Sequence, residues 1–404
     1  MASPKDRLAK TERQEKYRRI NIKLFKIFNF SIKWIFRYSG LEFIYRKFNP
    51  PQNPQRLPTG FIWLIGIYVV FFGLASQRYE NRIEIIENRA NSVFAQLAVT
   101  SLEKKALSRI PMVQNMPCPY KPNILNPLSV FISLIKDSKY AGVSAQLQET
   151  IEDWKDSLDS VKLSEAILRG ANLRDANLKG ADLSKADLRR ADLRQADLQE
   201  AILQEADFQN ANLRGANLQR ADLRRADLQQ ADFQNANLRG ANFQFANLRG
   251  ANLQRASLLG ADLQRALLRK ADFQYTNLWG ADLRRSDLRE ANLRKAGLQS
   301  TNIREANLQG ADLRDAFLQR SDLRDAFLQE ADFRGANLRG ANLQNADLLG
   351  ANELTVEQLC EASTLYETKL DQELKARLKH QCSDLLKEPQ TTKENTSGEN
   401  KVTP

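Results

Sequence analysis

From Leu163 to Leu348 an apolar residue stands at every fifth position without a slip. The 38 positions hold only Leu, Phe or Ile. Two residues before each one sits a small side chain, Ala in 33 cases, with Thr276, Ser286, Thr301 and Ser321 among the exceptions. Ala171–Asn172–Leu173–Arg174–Asp175 is a typical unit. Helices repeat their apolar face near 3.6 residues and strands near 2, so neither regular element fits. Ala and Leu, two apart, can both point inward as in a strand. Two consecutive outward residues then follow, which a strand cannot supply without bending.

Each unit of five therefore ends in a corner, and four right-angle corners close a coil of twenty residues. Coils stacked about 4.8 Å apart pair their backbone groups with the coils above and below, and nine of them make a rod about 45 Å long. No coil buries its apolar face alone, so stability must come from stacked neighbours. Gly falls mainly at the fifth place, where the corner turns. Phe233, Phe273 and Phe333 share one phase of the twenty-residue period and read as space-filling core, with Leu253, Leu293 and Leu313 between them.

The residue before each inward Leu is Asp or Asn in 30 of 38 units. Such side chains hydrogen-bond to nearby backbone and tolerate turns. Along one face they alternate, Asn172, Asp192, Asn212, Asp232, Asn252, Asp272, Asn292, Asp312, which keeps like charges from stacking directly.

The repeated A(D/N)LXX unit resembles the pentapeptide-repeat family, over about 46% of the chain. The resemblance implies a right-handed quadrilateral parallel β-helix, in agreement with the corner argument. It brings no shared catalytic residues. A looser resemblance to cyanobacterial membrane-associated members lies in the flanks, at Pro111–Met112–Val113–Gln114–Asn115–Met116–Pro117–Cys118–Pro119–Tyr120, at Glu152–Asp153–Trp154–Lys155–Asp156–Ser157–Leu158, and from Leu354 to Leu386.

The flanks differ in composition. Residues 1–56 hold 14 Lys and Arg against 4 acidic residues, almost the whole excess of a chain with net charge +11. Within them Arg19, Lys23, Lys26, Lys33 and Arg37 fall on one helical stripe among aromatic and aliphatic residues, the pattern of a helix lying on an anionic membrane. Nucleic-acid binding is the competing reading of this basic stripe. Residues 57–77 carry no charge, and 21 helical residues span about 31 Å, enough for a bilayer. The sequence thus predicts a basic amphipathic membrane-proximal region (1–56) and a transmembrane helix (57–77). The excess of positive charge places the N-terminus in the cytoplasm and the rod in a periplasm or thylakoid lumen, an orientation that a second insertion at 20–38 would reverse.

A helical and Pro-rich connector (78–160) follows. Ile83, Ile86, Ala90, Val93 and Leu97 hold helical spacing that also suits self-pairing into a homo-oligomer. Residues 111–128 contain five Pro and read as irregular, and 144–158 as a short helix. After the β-helix (161–352), Glu353 breaks the register. Thr355–Val356–Glu357–Gln358 reads as a capping box, and Asp371–Gln372–Glu373–Leu374 opens a second helix. This helical cap (353–387) hides the open edge of the stack, and 388–404 is a disordered tail. The fold class is an all-β solenoid with an N-terminal α-helical membrane region and a C-terminal helical cap.

Chemistry-bearing patterns are sparse. The one His, His380, falls on an exposed helix face, and three Cys at these spacings make no metal site. Cys360 and Cys382 can pair in an extracytoplasmic domain and can equally remain free. No phosphate-binding Gly loop or nucleophile elbow is present, so no cofactor and no enzymatic activity are expected. Outward Arg columns, such as Arg174, Arg194, Arg214 and Arg284, Arg304, Arg324, suit either a polyanion track or a surface laced with ion pairs. Trp279 is the best single candidate for a partner contact. Leu259 neighbours it one coil away, and Tyr275 falls between Arg255 and Lys295.

The reading that follows is a non-enzymatic, membrane-anchored scaffold or protein-interaction rod, with membrane lipids at residues 1–77 and protein partners along the rod. An envelope or membrane-organising factor that places lipids is the alternative. The family resemblance also brings in DNA mimics that protect topoisomerases, but these need a strongly negative rod. Here residues 161–350 carry 29 basic and 25 acidic side chains. An enzyme with its site in 78–160 is the remaining class.

Overall fold

The computed structural model describes residues 59–97, 103–139 and 141–389. The chain divides into two compact units, residues 1–71 and 72–404. The stripe Arg19, Lys23, Lys26, Lys33 and Arg37 lies outside the described residues, as does the tail from 390.

Within the repeat, every fifth residue from Lys162 to Asp332 forms a parallel bridge with the residue twenty positions further on. A coil is therefore four units, and the rod is a parallel β-helix of quadrilateral section. The unit Ala211–Asn212–Leu213–Arg214–Gly215 shows why five residues suffice. Ala211 N–H closes the preceding corner onto Phe208 O at 2.9 Å. Asn212 N–H donates down to Ala191 O (2.9 Å), and Leu213 and Gly215 donate up to Asp232 O (2.7 Å) and Gln234 O (2.9 Å). The fifth donor, Arg214 N–H, has no backbone partner and is met by Asn212 Oδ1 at 3.2 Å. Asp or Asn is thus the side chain that completes the donor account of its own unit.

The corners take the left-handed conformation: φ is positive at every fifth residue from Glu165 to Gly350. Eleven of these are Gly, and none of the others is Val, Ile or Thr, whose branched Cβ fits that region worst. Inside, the Leu, Phe and Ile positions and the Ala positions are almost all completely buried. Phe233 and Phe243 meet edge to face at 6.4 Å. The exceptions at the Ala position hold their hydroxyls on backbone oxygens: Thr276 on Leu253 O (2.6 Å), Ser286 on Leu283 O (2.6 Å), Thr301 on Leu278 O (2.8 Å) and Ser321 on Leu318 O (2.7 Å).

Upstream, helix α1 (Thr59–Leu97) precedes α2 (Glu103–Leu107), α3 (Ile110–Gln114), strand β1 (Pro117–Pro119), α4 (Pro127–Ile135), strand β2 (Asp137–Lys139) and α5 (Ala141–Asp153). A single 3-10 turn, Lys155–Ser157, then leads into the first coil. β1 and β2 pair antiparallel. The irregular segment expected at 111–128 is corrected in part: residues 120–126 form no helix or strand, but the flanking Pro residues are placed in regular elements. Pro111 sits at the first turn of α3 and Pro127 at that of α4, where a missing N–H costs nothing, and Pro117–Pro119 forms a strand.

The single-pass membrane span is also corrected: among the described residues no helix is long and apolar enough to cross a membrane. The apolar run is the opening of α1, which continues without a break through Arg78, Glu80, Arg82 and Glu84. Its charges are used on the connector: Arg78 donates to Ser133 O (2.6 Å) and Asp137 (2.9 Å), and Arg82 to Pro117 O (2.8 Å). The transmembrane assignment of 57–77, the membrane localisation and the lipid contact derived from it lose their basis. Self-pairing through Ile86, Ala90, Val93 and Leu97 loses its face as well, because all four are buried in the same continuous core as the rod.

At the far end Thr355 and Gln358 form the capping box of α6 (Val356–Cys360). The β-helix does not end at Glu353. It resumes after α6, where Thr364 bridges Asn342 and Lys369 bridges Asp347, two residues out of the twenty-residue step. Thr368 occupies a buried Ala position with its hydroxyl on Leu343 O (2.7 Å), and the exposed Ser363 places its hydroxyl on Ala341 O (2.9 Å). Helix α7 (Gln372–Gln381) follows, with Leu378 fully buried and Leu374, Leu385 and Leu386 packed against the core. Asp371 does not cap α7 with its side chain; its carboxylate accepts from Gly350 N–H. A disulfide joins Cys360 to Cys382.

Candidate functional site

The regular surface of the rod is a column of Asp and Asn side chains on each face. Single departures occur on other faces, at Ile202, Leu267 and Phe327, but one face departs on two consecutive coils. Its column runs Asn217, Asn237, Ser257, Asn277, Gly297, Phe317, Asn337, with successive members bridged. At Gly297 the side chain is missing, and one coil further on Phe317 stands outward where an Asx belongs. Gly297 is not at a corner, and a Cβ there would come within 3.1 Å of Gln299 Oε1. The gap opens a depression of about 850 Å³ across four coils.

Tyr275 and Trp279 lie on the near coil, Lys295 and Gln299 beside Gly297, Phe317 and Arg320 on the next coil, and Arg339 beyond. Trp279 is 56% exposed, Tyr275 51% and Phe317 45%, an unusual concentration of open aromatic surface. Trp279 N–H is fixed by Asn277 Oδ1 at 3.1 Å. Tyr275 is a left-handed corner residue, and its ring lies between Arg255 (5.8 Å) and Lys295 (5.6 Å), as the column arithmetic predicts. Arg320 is also a corner residue, and its stem crosses Gly340, where a Cβ would meet Arg320 Cγ at 3.4 Å.

No acidic side chain lines the depression. Among the described residues Lys295, Arg320 and Arg339 join no ion pair. The local sequence explains this. Arg339 follows Asn337 where an Asp–Leu–Arg unit would have a carboxylate, and the corners one coil either side of Arg320 are the uncharged Ser300 and Gly340. The neighbouring corner carboxylate, Asp315, faces Arg294 at 3.8 Å.

Elsewhere many of the Arg residues are paired with a carboxylate. Arg194 holds Asp192 in a two-pronged contact (2.8 and 2.6 Å), and Arg284–Asp282 and Arg324–Asp322 repeat it. The side-chain hydrogen bond from Arg194 holds the Asp192 carboxyl below its ordinary value, and Arg289 does the same for Asp287. The Arg columns are therefore laced with ion pairs.

Of the sequence-predicted contacts, Trp279 and Tyr275 come together in the depression. Leu259 is one coil from Trp279, whose carbonyl accepts from Gly260 N–H (3.0 Å), but it is half-buried and outside the lining. Sequence reasoning passed over Phe317, Lys295, Arg320 and Arg339. The signal was present: Gly297 and Phe317 are consecutive departures from one Asx column. His380 is exposed on α7. Among the described residues no group of three or more His, Cys, Asp or Glu is arranged to hold a metal ion.

Twenty-residue coils, left-handed corners and an Ala–Leu interior define the class: a right-handed parallel β-helix solenoid. A family model described as pentapeptide repeats matches in eight copies, over residues 157–195, 191–230, 231–269, 266–304, 301–340 and 318–352. Among solved structures, HetL, a pentapeptide repeat protein involved in heterocyst differentiation regulation from the cyanobacterium Nostoc sp. strain PCC 7120, is 35% identical. The match covers 52% of this chain and 98% of HetL, with TM-score 0.29. The chain belongs to the pentapeptide repeat family.

QnrB1, a plasmid-mediated fluoroquinolone resistance protein, is 21% identical over 45% of this chain and 90% of its own, with TM-score 0.34. A pentapeptide repeat protein from the Arabidopsis thaliana thylakoid lumen is 28% identical over 36% and 76%, with TM-score 0.20. No curated protein matches. Pentapeptide repeat proteins are generally structural or interaction modules without enzymatic activity.

Proposed function

We propose that this chain is a non-enzymatic protein-interaction module: a rigid rod that presents the face around Trp279, Tyr275 and Phe317 to a protein partner. The observation that carries the reading is the depression at Gly297, where aromatic and cationic side chains are exposed together. Protein interfaces concentrate their binding energy in Trp, Tyr and Arg seated in such recesses. The scaffold supplies rigidity, since every coil is hydrogen-bonded to two others, and a preformed surface loses little entropy on binding.

Charge separates this reading from a DNA mimic. A mimic must display uncompensated negative charge along its length. Here the Asp of the Asp–Leu–Arg units is neutralised within its own unit, and the rod carries a small positive excess.

A photo-crosslinking amino acid placed at Trp279, at Phe317 and, on a different face, at the exposed corner Arg190 tests the proposal in the native cell. One protein captured from both Trp279 and Phe317, and absent from Arg190, is the expected result. Equal capture from all three positions, or none from the first two, overturns it.

A further inference from the structure

We infer that the depression takes an acidic peptide segment in extended conformation, with its carboxylates on Lys295, Arg320 and Arg339 and an apolar side chain over Gly297 between Trp279 and Phe317. This rests on the interaction reading above and names the chemistry of the partner.

Three observations converge. The lining has cations and no carboxylate, in a rod that otherwise pairs much of its Arg with Asp. An approaching anion therefore meets charge that the chain itself leaves uncompensated, and in a recess that charge is screened less than on an open surface. Arg320 and Arg339 each present a planar fork that matches a carboxylate in bidentate fashion. Lys295 already faces the Tyr275 ring, so a carboxylate there would complete a stack of cation, ring and anion.

The second observation is the apolar floor. Trp279 and Phe317 flank the place where Gly297 has no side chain, and a bare inorganic anion would leave that surface uncovered. A peptide carries both kinds of group. The third is dimension. The four coils from Tyr275 to Arg339 extend about 14 Å along the rod, the reach of four to five residues in a strand. Alternating side chains of such a strand would put carboxylates to one side and an apolar group to the other.

The test uses the full chain and three fluorescein-labelled hexapeptides: alternating Glu and Phe, the same with Gln for Glu, and the same with Lys for Glu. Binding is read by fluorescence anisotropy and by Trp emission. The Glu–Phe peptide should bind saturably, and the Gln–Phe peptide at least about tenfold more weakly, since a rim-to-recess charge pair can carry that much. Raising salt should weaken the first and spare the second.

The double variant Arg320→Glu/Arg339→Glu should reverse the preference toward the Lys–Phe peptide. Both positions are exposed, so its melting transition should stay with the wild type. Trp279→Ala should weaken the Glu–Phe and Gln–Phe peptides alike. Equal binding of the Glu and Gln peptides overturns the inference, as does no effect of the charge-reversal variant, or a short DNA duplex that outcompetes the acidic peptide. If those occur while crosslinks from Trp279 and Phe317 still capture one protein, the peptide class falls and the interaction reading stands. If the crosslinks fail as well, both fall.

Discussion

Gln114 and Ile167 exchange two hydrogen bonds. Gln114 Nε2 donates to Ile167 O at 3.0 Å, and Gln114 Oε1 accepts from Ile167 N–H at 2.8 Å. A buried side-chain amide takes the place of the coil that the first turn of the stack lacks beneath it. Asn115 adds a bond to Glu165 O (2.8 Å), and Lys155 satisfies Arg174 O with its Nζ (2.9 Å) and Asn177 N–H with its carbonyl (2.9 Å). The connector is thus the N-terminal cap of the rod, built from single residues that imitate peptide groups.

Gln114→Leu should strip both partners from a buried backbone donor and acceptor. Each unmet group costs about 1–3 kcal/mol, so the first coils should lose about 2–6 kcal/mol of local stability. Native-state hydrogen exchange should show the loss at Ile167 and its neighbours, with the middle of the rod unchanged. Unaltered protection at Ile167 would show that the amide pair contributes little.

Leu253→Asp should unfold several neighbouring coils. Leu253 is fully buried, and an ionised carboxylate among Leu and Phe has no partner there. In a stack held by nearest neighbours the damage spreads to the coils above and below. A melting transition unchanged from wild type would contradict the β-helix.

Reduction should loosen the C-terminal end alone. The disulfide between Cys360 and Cys382 spans 22 positions and ties α6 to the helix that follows the resumed coils. Closing a loop of this size restricts the unfolded chain by about 3 kcal/mol. Limited proteolysis with and without reductant should expose sites between Val356 and Leu386, and Cys382→Ser should reproduce them without reductant. Identical digests would show that the bond adds nothing to the C-terminal end.

Acid should destabilise the rod. Asp192 and Asp287 titrate below the ordinary 3.8 because Arg194 and Arg289 donate to them. A folded value below the unfolded one gives stability that is present above about pH 4 and lost as pH falls toward the folded value. Asp207 works in the opposite sense. Burial raises its carboxyl, with Asp227 and Asp187 stacked on either side adding to the effect, so its contribution declines as pH rises through the raised value. The lowered groups outnumber it, since Asp222, Asp312 and Asp322 are also held down by their Arg partners against the opposing effect of burial. Urea midpoints should therefore fall between pH 5 and pH 3, less steeply in Asp192→Asn. A midpoint that rises toward acid would reverse this account.

Most of the rod was legible because its rule is local. Ala inward, Asx to serve its own unit, Leu inward and a corner at the fifth residue follow from one pentapeptide, and repetition removes the choice of register. Gly297 was legible only as a gap in a column. That Phe317, Arg320 and Arg339 share its recess depends on which residues the closed coils bring side by side. The apolar run before Arg78 misled for a related reason. Its hydrophobicity is a property of the segment, whereas the partners of α1 include Ser133 and Asp137, held by Arg78 from more than fifty positions away.

The same division holds at the two ends. A broken register at Glu353 showed that the repeat was interrupted, yet Thr364 and Lys369 resume its bridges on a coil offset by two residues, where the Thr368 hydroxyl fills an Ala position because Leu343 O accepts from it. The period, the core and the Asx ladder were decided by the sequence alone, since each is a contact between residues of one unit or of units at a constant separation. The contacts at the two ends of the rod, the pairing of Cys360 with Cys382 and the acid-free recess were decided by tertiary structure. They join residues with no constant separation, and only the closed stack brings those residues within reach of one another.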